Sequence, residues 1–192
     1  MVSPTTSVSV LWSVWLAGWL LSAGWTARTV SQQAPMAKLA HSALIVGGAA
    51  LLFLKLGPGF FRRPLLPNSG WIGWGGVALV ATGLGFAAWA RVHLGRFWSG
   101  DVTLKEGHAI VRTGPYALTR HPIYTGLLLA VAGTALVRGT LASLAGLFLF
   151  VLGVIVKSRQ EEQLLIAHFG DAYRSYQDDV SALIPRPRWT GV

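Results

Sequence analysis

Five long apolar blocks, separated by short polar segments, most limit what this chain can fold into. They lie at about residues 8–25, 39–56, 70–90, 123–137 and 141–156. A helix needs about 20 mostly apolar residues to cross a bilayer, so such blocks predict transmembrane helices. Only 12% of the residues are charged, against roughly 25% in soluble domains. We therefore predict an all-α integral membrane protein with about five transmembrane helices.

Small residues inside the apolar blocks predict close packing of the helices. They are Gly47 and Gly48 in the second block, and Gly73, Gly76, Gly83 and Ala87 in the third. Residues without large side chains let helix backbones approach each other within a membrane. The last two blocks are short for full spans, so we expect them to form a tight helical hairpin with tilted or partly immersed arms.

The first block carries four tryptophans at helical spacings: Trp12, Trp15, Trp19 and Trp25. Tryptophan side chains often anchor a helix at the membrane interface or face lipid. We interpret these residues as lipid-facing or interfacial anchors. The alternative is that they form one wall of a ligand site.

The formal net charge is +9, and basic chains often bind nucleic acid. Here, however, Lys and Arg collect between the apolar blocks, which is typical of membrane topology. If the C-terminus is cytoplasmic, twelve Lys and Arg residues lie inside and four outside, with Arg62 and Arg63 opposing this orientation. We predict a multi-pass protein of a bacterial inner membrane, with its active site on the cytoplasmic face. The expected partners are membrane lipids and no nucleic acid.

Several kinds of chemistry find no support in the sequence. The chain has no cysteine, which excludes disulfides, cysteine nucleophiles and cysteine-ligated metal sites. The histidines lack the spacing of a metal site, so no metal is predicted. The glycine-rich stretches lie inside apolar blocks and do not form a dinucleotide-binding strand, turn and helix. The GxSxG motif of many hydrolases is also absent.

We divide the chain into an N-terminal helix pair, residues 1–56, and a core, residues 57–192. The core holds the last three spans, a polar loop at 91–122, and a C-terminal helix and tail at 157–192. Apolar residues at helical spacing predict an amphipathic helix that breaks near Gly170. The predicted topology brings the loop and the tail to the same side of the membrane.

The polar loop ends in a cluster that contains Arg120, His121, Pro122 and Tyr124. Pro122 disfavours helix at His121 and suits the first position of the helix that follows. We therefore expect His121 and Tyr124 at a helix start, where free backbone N–H groups favour anionic ligands. The alternative is that Arg120 and His121 contact lipid headgroups.

A second polar cluster follows the last apolar block and contains Lys157, Arg159, Glu161 and Glu162. Lys157 and Glu161 are one helical turn apart, so a simple ion pair is one interpretation. In the functional interpretation, a carboxylate holds a cationic or hydroxyl-rich ligand and a basic side chain holds an anionic one. Since both clusters are expected on one membrane face, we favour the functional interpretation.

The polar segments carry a series of short motifs. They are HAIV at 108–111, TGPY at 113–116, RHPIYTG at 120–126, EE at 161–162, FGDAYRSY at 169–176 and IP at 184–185. In this order and spacing they resemble the isoprenylcysteine carboxyl methyltransferase family, and related phospholipid methyltransferases share part of the pattern. The resemblance covers about residues 91–186. It implies a membrane enzyme that converts S-adenosylmethionine to S-adenosylhomocysteine in a pocket built by the loop and the C-terminal helix.

The resemblance also implies individual site residues. The expected cofactor contacts are His108, Ala109, Ile110, Val111, Tyr116, His121, Pro122, Ile123, Tyr124 and Glu161. Glu162 is a further candidate for holding the cofactor's ammonium or ribose. The family's substrate-orienting arginine falls at Lys157, and a lysine lacks the planar fork of arginine. Arg159 and Arg120 are therefore further catalytic candidates.

The leading hypothesis is a methyltransferase that uses S-adenosylmethionine to methylate the carboxyl group of an isoprenylcysteine-like acceptor. A carboxylate is already ionised near pH 7 and needs no general base. The lipophilic acceptor is expected to enter sideways from the bilayer. The alternatives are a phospholipid amine N-methyltransferase, an NADPH-dependent membrane reductase and a non-catalytic membrane protein.

Overall fold

The structure is a computed structural model that describes residues 2–22, 24–26, 28–32, 35–54, 56, 58–67, 69–99, 103–105 and 109–185. Six α-helices dominate these residues, which confirms the predicted fold class. They are α1 (Pro4–Ser22), α2 (Pro35–Phe53), α3 (Gly70–Leu94), α4 (Pro122–Arg138), α5 (Leu141–Phe169) and α6 (Asp171–Asp179). Short 3-10 helices lie at Gly59–Arg62, Gly95–Phe97 and Gly114–Ala117.

Within the described part of the chain, three helices are long and apolar enough to cross a membrane: Pro4–Ser22, Gly70–Phe97 and Leu141–Phe169. Two shorter apolar helices, Lys38–Phe53 and Pro122–Arg138, correspond to the second and fourth predicted blocks. The fifth block differs from expectation, because α5 continues for several turns beyond its apolar part. The predicted amphipathic helix is thus the end of α5 together with α6. The expected break is confirmed at Gly170, where φ is +56°.

Helix α4 packs antiparallel along α3, and the two backbones touch at glycines. A Cβ on Gly83 would lie 2.4 Å from the carbonyl oxygen of Gly126, and one on Gly76 would lie 2.8 Å from that of Gly133. Real Cβ atoms do not approach a carbonyl oxygen this closely, so only glycine fits. The close packing expected from Gly76 and Gly83 is therefore confirmed.

Helix α5 packs in the same way along α2. A Cβ on Gly48 would lie 2.6 Å from the carbonyl oxygen of Gly146, whereas no atom of the described residues lies within 4 Å of a Cβ on Gly47. The expectation is thus confirmed for Gly48 and wrong for Gly47. The prediction that α4 and α5 pack tightly against each other as a hairpin is also wrong. Gly139 and Thr140 join the two helices directly, but α4 packs mainly on α3 and α5 mainly on α2.

Two short strands, β1 (Thr29–Gln32) and β2 (Thr103–Lys105), form an antiparallel ribbon. The sequence analysis did not predict them. They join the segment after α1 to the segment after α3, at the end of the bundle where α4 begins. The ribbon therefore belongs to the same end of the molecule as the polar loop.

Substitution of Gly83 by alanine should destabilise the protein by about 1–3 kcal/mol, because the new methyl group must push α3 and α4 apart. Gly85→Ala is the matched control on the same helix, since none of the residues that the structure describes has an atom within 4 Å of its Cβ position. Thermal unfolding in detergent measures both variants. Equal midpoints for the two variants would contradict the close contact of α3 and α4.

Candidate functional site

A cavity of about 270 Å³ lies where α1, α3, α4, α5 and α6 meet the polar loop. Residues from distant parts of the chain line it: Trp15, Trp19, Leu94, Phe97, Trp98, Ser99, Ala109, Ile110, Val111, Tyr116, Arg120, His121, Ile123, Tyr124, Leu127, Lys157, Glu161, Leu165, Phe169, Tyr173 and Tyr176. One side is aromatic and apolar, and the other carries the polar groups of α4 and α5. Such a combination is typical of a small-molecule site.

His121 directly precedes α4 and has non-helical backbone angles, φ −122° and ψ 61°. Pro122 fixes this start as the first helical residue. The imidazole is buried and makes no capping hydrogen bond. Its Nε2 atom lies 3.1 Å from Glu162 and its Nδ1 atom 3.8 Å from Glu161. His121 therefore lies between the two carboxylates that the sequence analysis selected.

Glu161 presents its carboxylate to the cavity, with 34% of its side chain exposed. Its Oε2 atom accepts a hydrogen bond of 2.8 Å from the hydroxyl of Tyr124. The Tyr124 ring stacks on His121 at a centroid distance of 5.4 Å. One turn before Glu161, the Nζ atom of Lys157 lies 5.5 Å from the centroid of the Tyr124 ring. An acid and a base thus line the same wall of the cavity, next to one aromatic ring.

Glu162 has a different environment, because its carboxylate is bound by other side chains and does not line the cavity. Arg120 donates to Glu162 Oε1 from Nε at 2.8 Å, with Nη2 at 2.7 Å from the same oxygen. Gln177 donates to Oε2 at 2.9 Å. Arg120 also donates from Nη1 to the carbonyl oxygens of Gln177 and Val180. These contacts join the start of α4 to α5 and to the end of α6.

Three tyrosines support the polar loop and remain protonated. Burial raises the pKa of Tyr116 above its ordinary value, and the charge of Glu161 raises it further. Burial also raises the pKa of Tyr173, and raises that of Tyr176 to about 12. The Tyr176 hydroxyl donates to the carbonyl oxygen of Tyr116 at 2.5 Å. At neutral pH these rings therefore serve as uncharged walls and hydrogen-bond donors.

The structure brings together most of the residues that the sequence analysis selected. Those that line the cavity are Ala109, Ile110, Val111, Tyr116, Arg120, His121, Ile123, Tyr124, Lys157 and Glu161. Pro122 is buried at the start of α4 and Glu162 lies behind the wall. Arg159 is exposed and does not line the cavity. His108 lies outside the described residues.

For the tryptophans of α1, the structure supports the alternative that the sequence analysis did not favour, a wall of a ligand site. Trp15 and Trp19 line the cavity, and Trp12 donates from Nε1 to Thr134 Oγ1 at 3.0 Å. The expectation of lipid-facing anchors is therefore wrong for these three residues. Their spacing of three and four places them on one helix face, which was the available signal. Trp25 is 57% exposed, in keeping with the expectation.

The sequence model of the phospholipid methyltransferase family matches residues 71–172, more than half of the chain. The chain belongs to this family. The match begins in α3 and includes the polar loop, α4 and α5, so it covers most of the cavity. With its long apolar helices, this family member is a multi-pass integral membrane protein.

Two relatives show how far the similarity extends. The chain is 36% identical over 100 residues to the protein-S-isoprenylcysteine O-methyltransferase of Schizosaccharomyces pombe, across 50% of this chain and 42% of that protein. It is 30% identical over 122 residues to a methanethiol S-methyltransferase of a Pseudomonas species, across 62% of this chain and 45% of that protein. The alignments therefore span less than half of each relative.

Proposed function

We propose that this family member transfers a methyl group from S-adenosylmethionine to the carboxylate of a small lipophilic acceptor of the isoprenylcysteine type. The single observation that carries the proposal is the pair Lys157 and Glu161, which line one wall of the cavity and both lie next to Tyr124. The wall offers opposite charges one helical turn apart, close to an apolar chamber. A charged donor molecule and a lipophilic anionic acceptor need this combination.

The side chains of the polar wall fit the chemical groups of S-adenosylmethionine. Glu161 would hold its ammonium or ribose hydroxyls, and Tyr116 and Tyr124 offer aromatic faces for the adenine or the sulfonium. When bound, this cofactor would supply an electrophilic methyl group on a positively charged sulfur, with a neutral thioether as the leaving group. Placement of the methyl acceptor is then the main task of the protein.

Lys157 would orient the acceptor. Its ammonium can pair with a carboxylate, which is ionised near pH 7 and requires no base. The apolar lining keeps water away from the carboxylate and raises its reactivity. The proposed arrangement therefore needs no proton transfer, in keeping with His121 as a fixed group between two glutamates.

Thiol methylation is a second candidate, because one relative is named a methanethiol S-methyltransferase. A thiol must first lose its proton, and a nearby cation lowers the pKa of a thiol. Lys157 would then stabilise a thiolate in place of a carboxylate. Methylation of an amine acceptor would produce a cation, which the nearby ammonium of Lys157 would disfavour. Membership of a methyltransferase family favours methyl transfer over nicotinamide-dependent reduction.

An acceptor panel with methyl-labelled S-adenosylmethionine tests the proposal. It comprises a short S-prenyl cysteine derivative with a free carboxyl group, the same compound as an amide, an alkanethiol and phosphatidylethanolamine. We expect labelling of the free acid as a base-labile ester and none of the amide. Labelling of the thiol alone would replace carboxyl by thiol methylation. Labelling of phosphatidylethanolamine alone would contradict both assignments.

Lys157→Met should lower kcat/KM for the anionic acceptor by about one to two orders of magnitude, since a hydrogen bond to a charged group contributes about 1.5–3 kcal/mol. Lys157→Arg should retain activity, because the cation is kept. Arg159→Met is the matched control, as Arg159 is exposed outside the cavity. A larger loss in Arg159→Met than in Lys157→Met would assign the role to Arg159.

A further inference from the structure

The apolar side of the cavity has a wall of tryptophans that the proposed donor site does not use. Trp15 and Trp19 come from α1, and Trp98 follows the 3-10 helix at the end of α3. Trp15 and Trp19 stack with centroids 4.4 Å apart. Trp19 meets Trp98 edge-on at 5.1 Å and an interplanar angle of 89°. The three rings are therefore in contact and form one continuous surface.

Polar contacts hold this surface in a fixed position. The hydrogen bond from Trp12 to Thr134 attaches α1 to α4. Arg91 is only 3% exposed and donates to the carbonyl oxygens of Ser22 and Gly95. Its guanidinium carbon lies 4.4 Å from the centroid of the Trp98 ring, a cation–π contact. Movement of the wall would break these contacts, so they hold α1 and Trp98 in place beside the cavity.

The wall limits the space for an acceptor. The cavity volume of about 270 Å³ is near the lower end for small-molecule sites. The reactive end of the donor must share this volume with the acceptor. The acceptor's apolar group has to fit between the polar wall at Lys157 and the tryptophans.

We propose that Trp15, Trp19 and Trp98 form the end wall of an acceptor chamber and restrict the acceptor to a short apolar group, of about one isoprene unit. The inference rests on the proposed function, because it assigns the apolar half of the same cavity to the methyl acceptor. Trp19 contacts both other rings, so it is the residue that determines acceptor length.

The test measures kcat/KM for S-prenyl cysteine acids with one, two and three isoprene units. The wild type should prefer one unit by about tenfold or more, a ratio within the range of apolar pockets. Trp19→Ala should reverse this preference, because removal of the ring makes room for longer acceptors. Each additional methylene that an acceptor buries there should raise its affinity about fourfold. Trp19→Leu, a milder change, should shift it in the same direction. Trp71→Ala is the control, because Trp71 is 91% exposed and lies outside the cavity.

Calorimetric binding of S-adenosylhomocysteine separates the two levels of the proposal. If every variant binds it and Trp19→Ala keeps the wild-type length preference, the wall does not determine acceptor size, while the proposed function stands. The same conclusion follows if the wild type accepts all three lengths equally. If the wild type binds S-adenosylhomocysteine but methylates none of the three acids, the wall and the proposed carboxyl acceptor both fail, and only the donor site stands. If the folded wild type does not bind S-adenosylhomocysteine, the proposed function fails and the chamber with it.

Discussion

Glu161→Gln should weaken the binding of S-adenosylhomocysteine by about one to two orders of magnitude. The carboxylate of Glu161 faces the cavity and accepts the Tyr124 hydroxyl at 2.8 Å. Glutamine keeps the size of the side chain but loses its charge, and a hydrogen bond to a charged group contributes about 1.5–3 kcal/mol. Isothermal titration of the detergent-purified variant measures the change in affinity.

The control for Glu161→Gln removes a carboxylate that does not line the cavity. Asp171→Asn suits this purpose, because Asp171 lies at the start of α6, is 94% exposed and does not line the cavity. We expect this variant to bind S-adenosylhomocysteine as the wild type does. Unchanged affinity in Glu161→Gln would show that the carboxylate does not hold the donor molecule.

Arg120→Met should destabilise the protein by about 1.5–3 kcal/mol, because the half-buried carboxylate of Glu162 loses its hydrogen bonds from Arg120 and keeps only those with His121 and Gln177. Arg120 joins three elements through Glu162 on α5 and two carbonyl oxygens near the end of α6. Only 9% of its side chain is exposed. A thermal unfolding midpoint well below that of the wild type is the expected result.

Arg174→Met provides the comparison for Arg120→Met, because Arg174 also pairs with an acid, Asp171, but both side chains are exposed. An exposed pair contributes at most about 1 kcal/mol. Wild-type stability in Arg120→Met, together with loss of methyl transfer, would instead support the catalytic role suggested from the sequence. The Arg120 contacts favour a positioning role, since Glu162 and carbonyl oxygens receive its N–H groups.

The sequence predicted the helices and the polar site because both leave local signals. Apolar length marks the spans, and Pro122 after His121 marks the start of α4. The end of α5 was less predictable, because the change to polar residues after Val156 indicates exit from the membrane and not the end of a helix. The helix ends at Phe169, where Gly170 adopts a positive φ.

Tertiary contacts determined the features that the sequence could not predict. Glu161 and Glu162 are adjacent and chemically identical, yet Arg120 and Gln177 bind only the second. The spacing of Trp15 and Trp19 predicted that they share one helix face. It did not predict which element packs against that face. That element includes Trp98, which lies in the polar loop and contacts Trp19 edge-on.

Titration of the folded wild-type protein with S-adenosylhomocysteine tests the central claim most directly, because it requires no knowledge of the acceptor. The cavity between α4, α5 and the polar loop predicts saturable binding with one molecule per chain, and no competition from NADPH. Absence of binding in protein that unfolds cooperatively on heating would contradict the claim that this cavity holds the methyl donor.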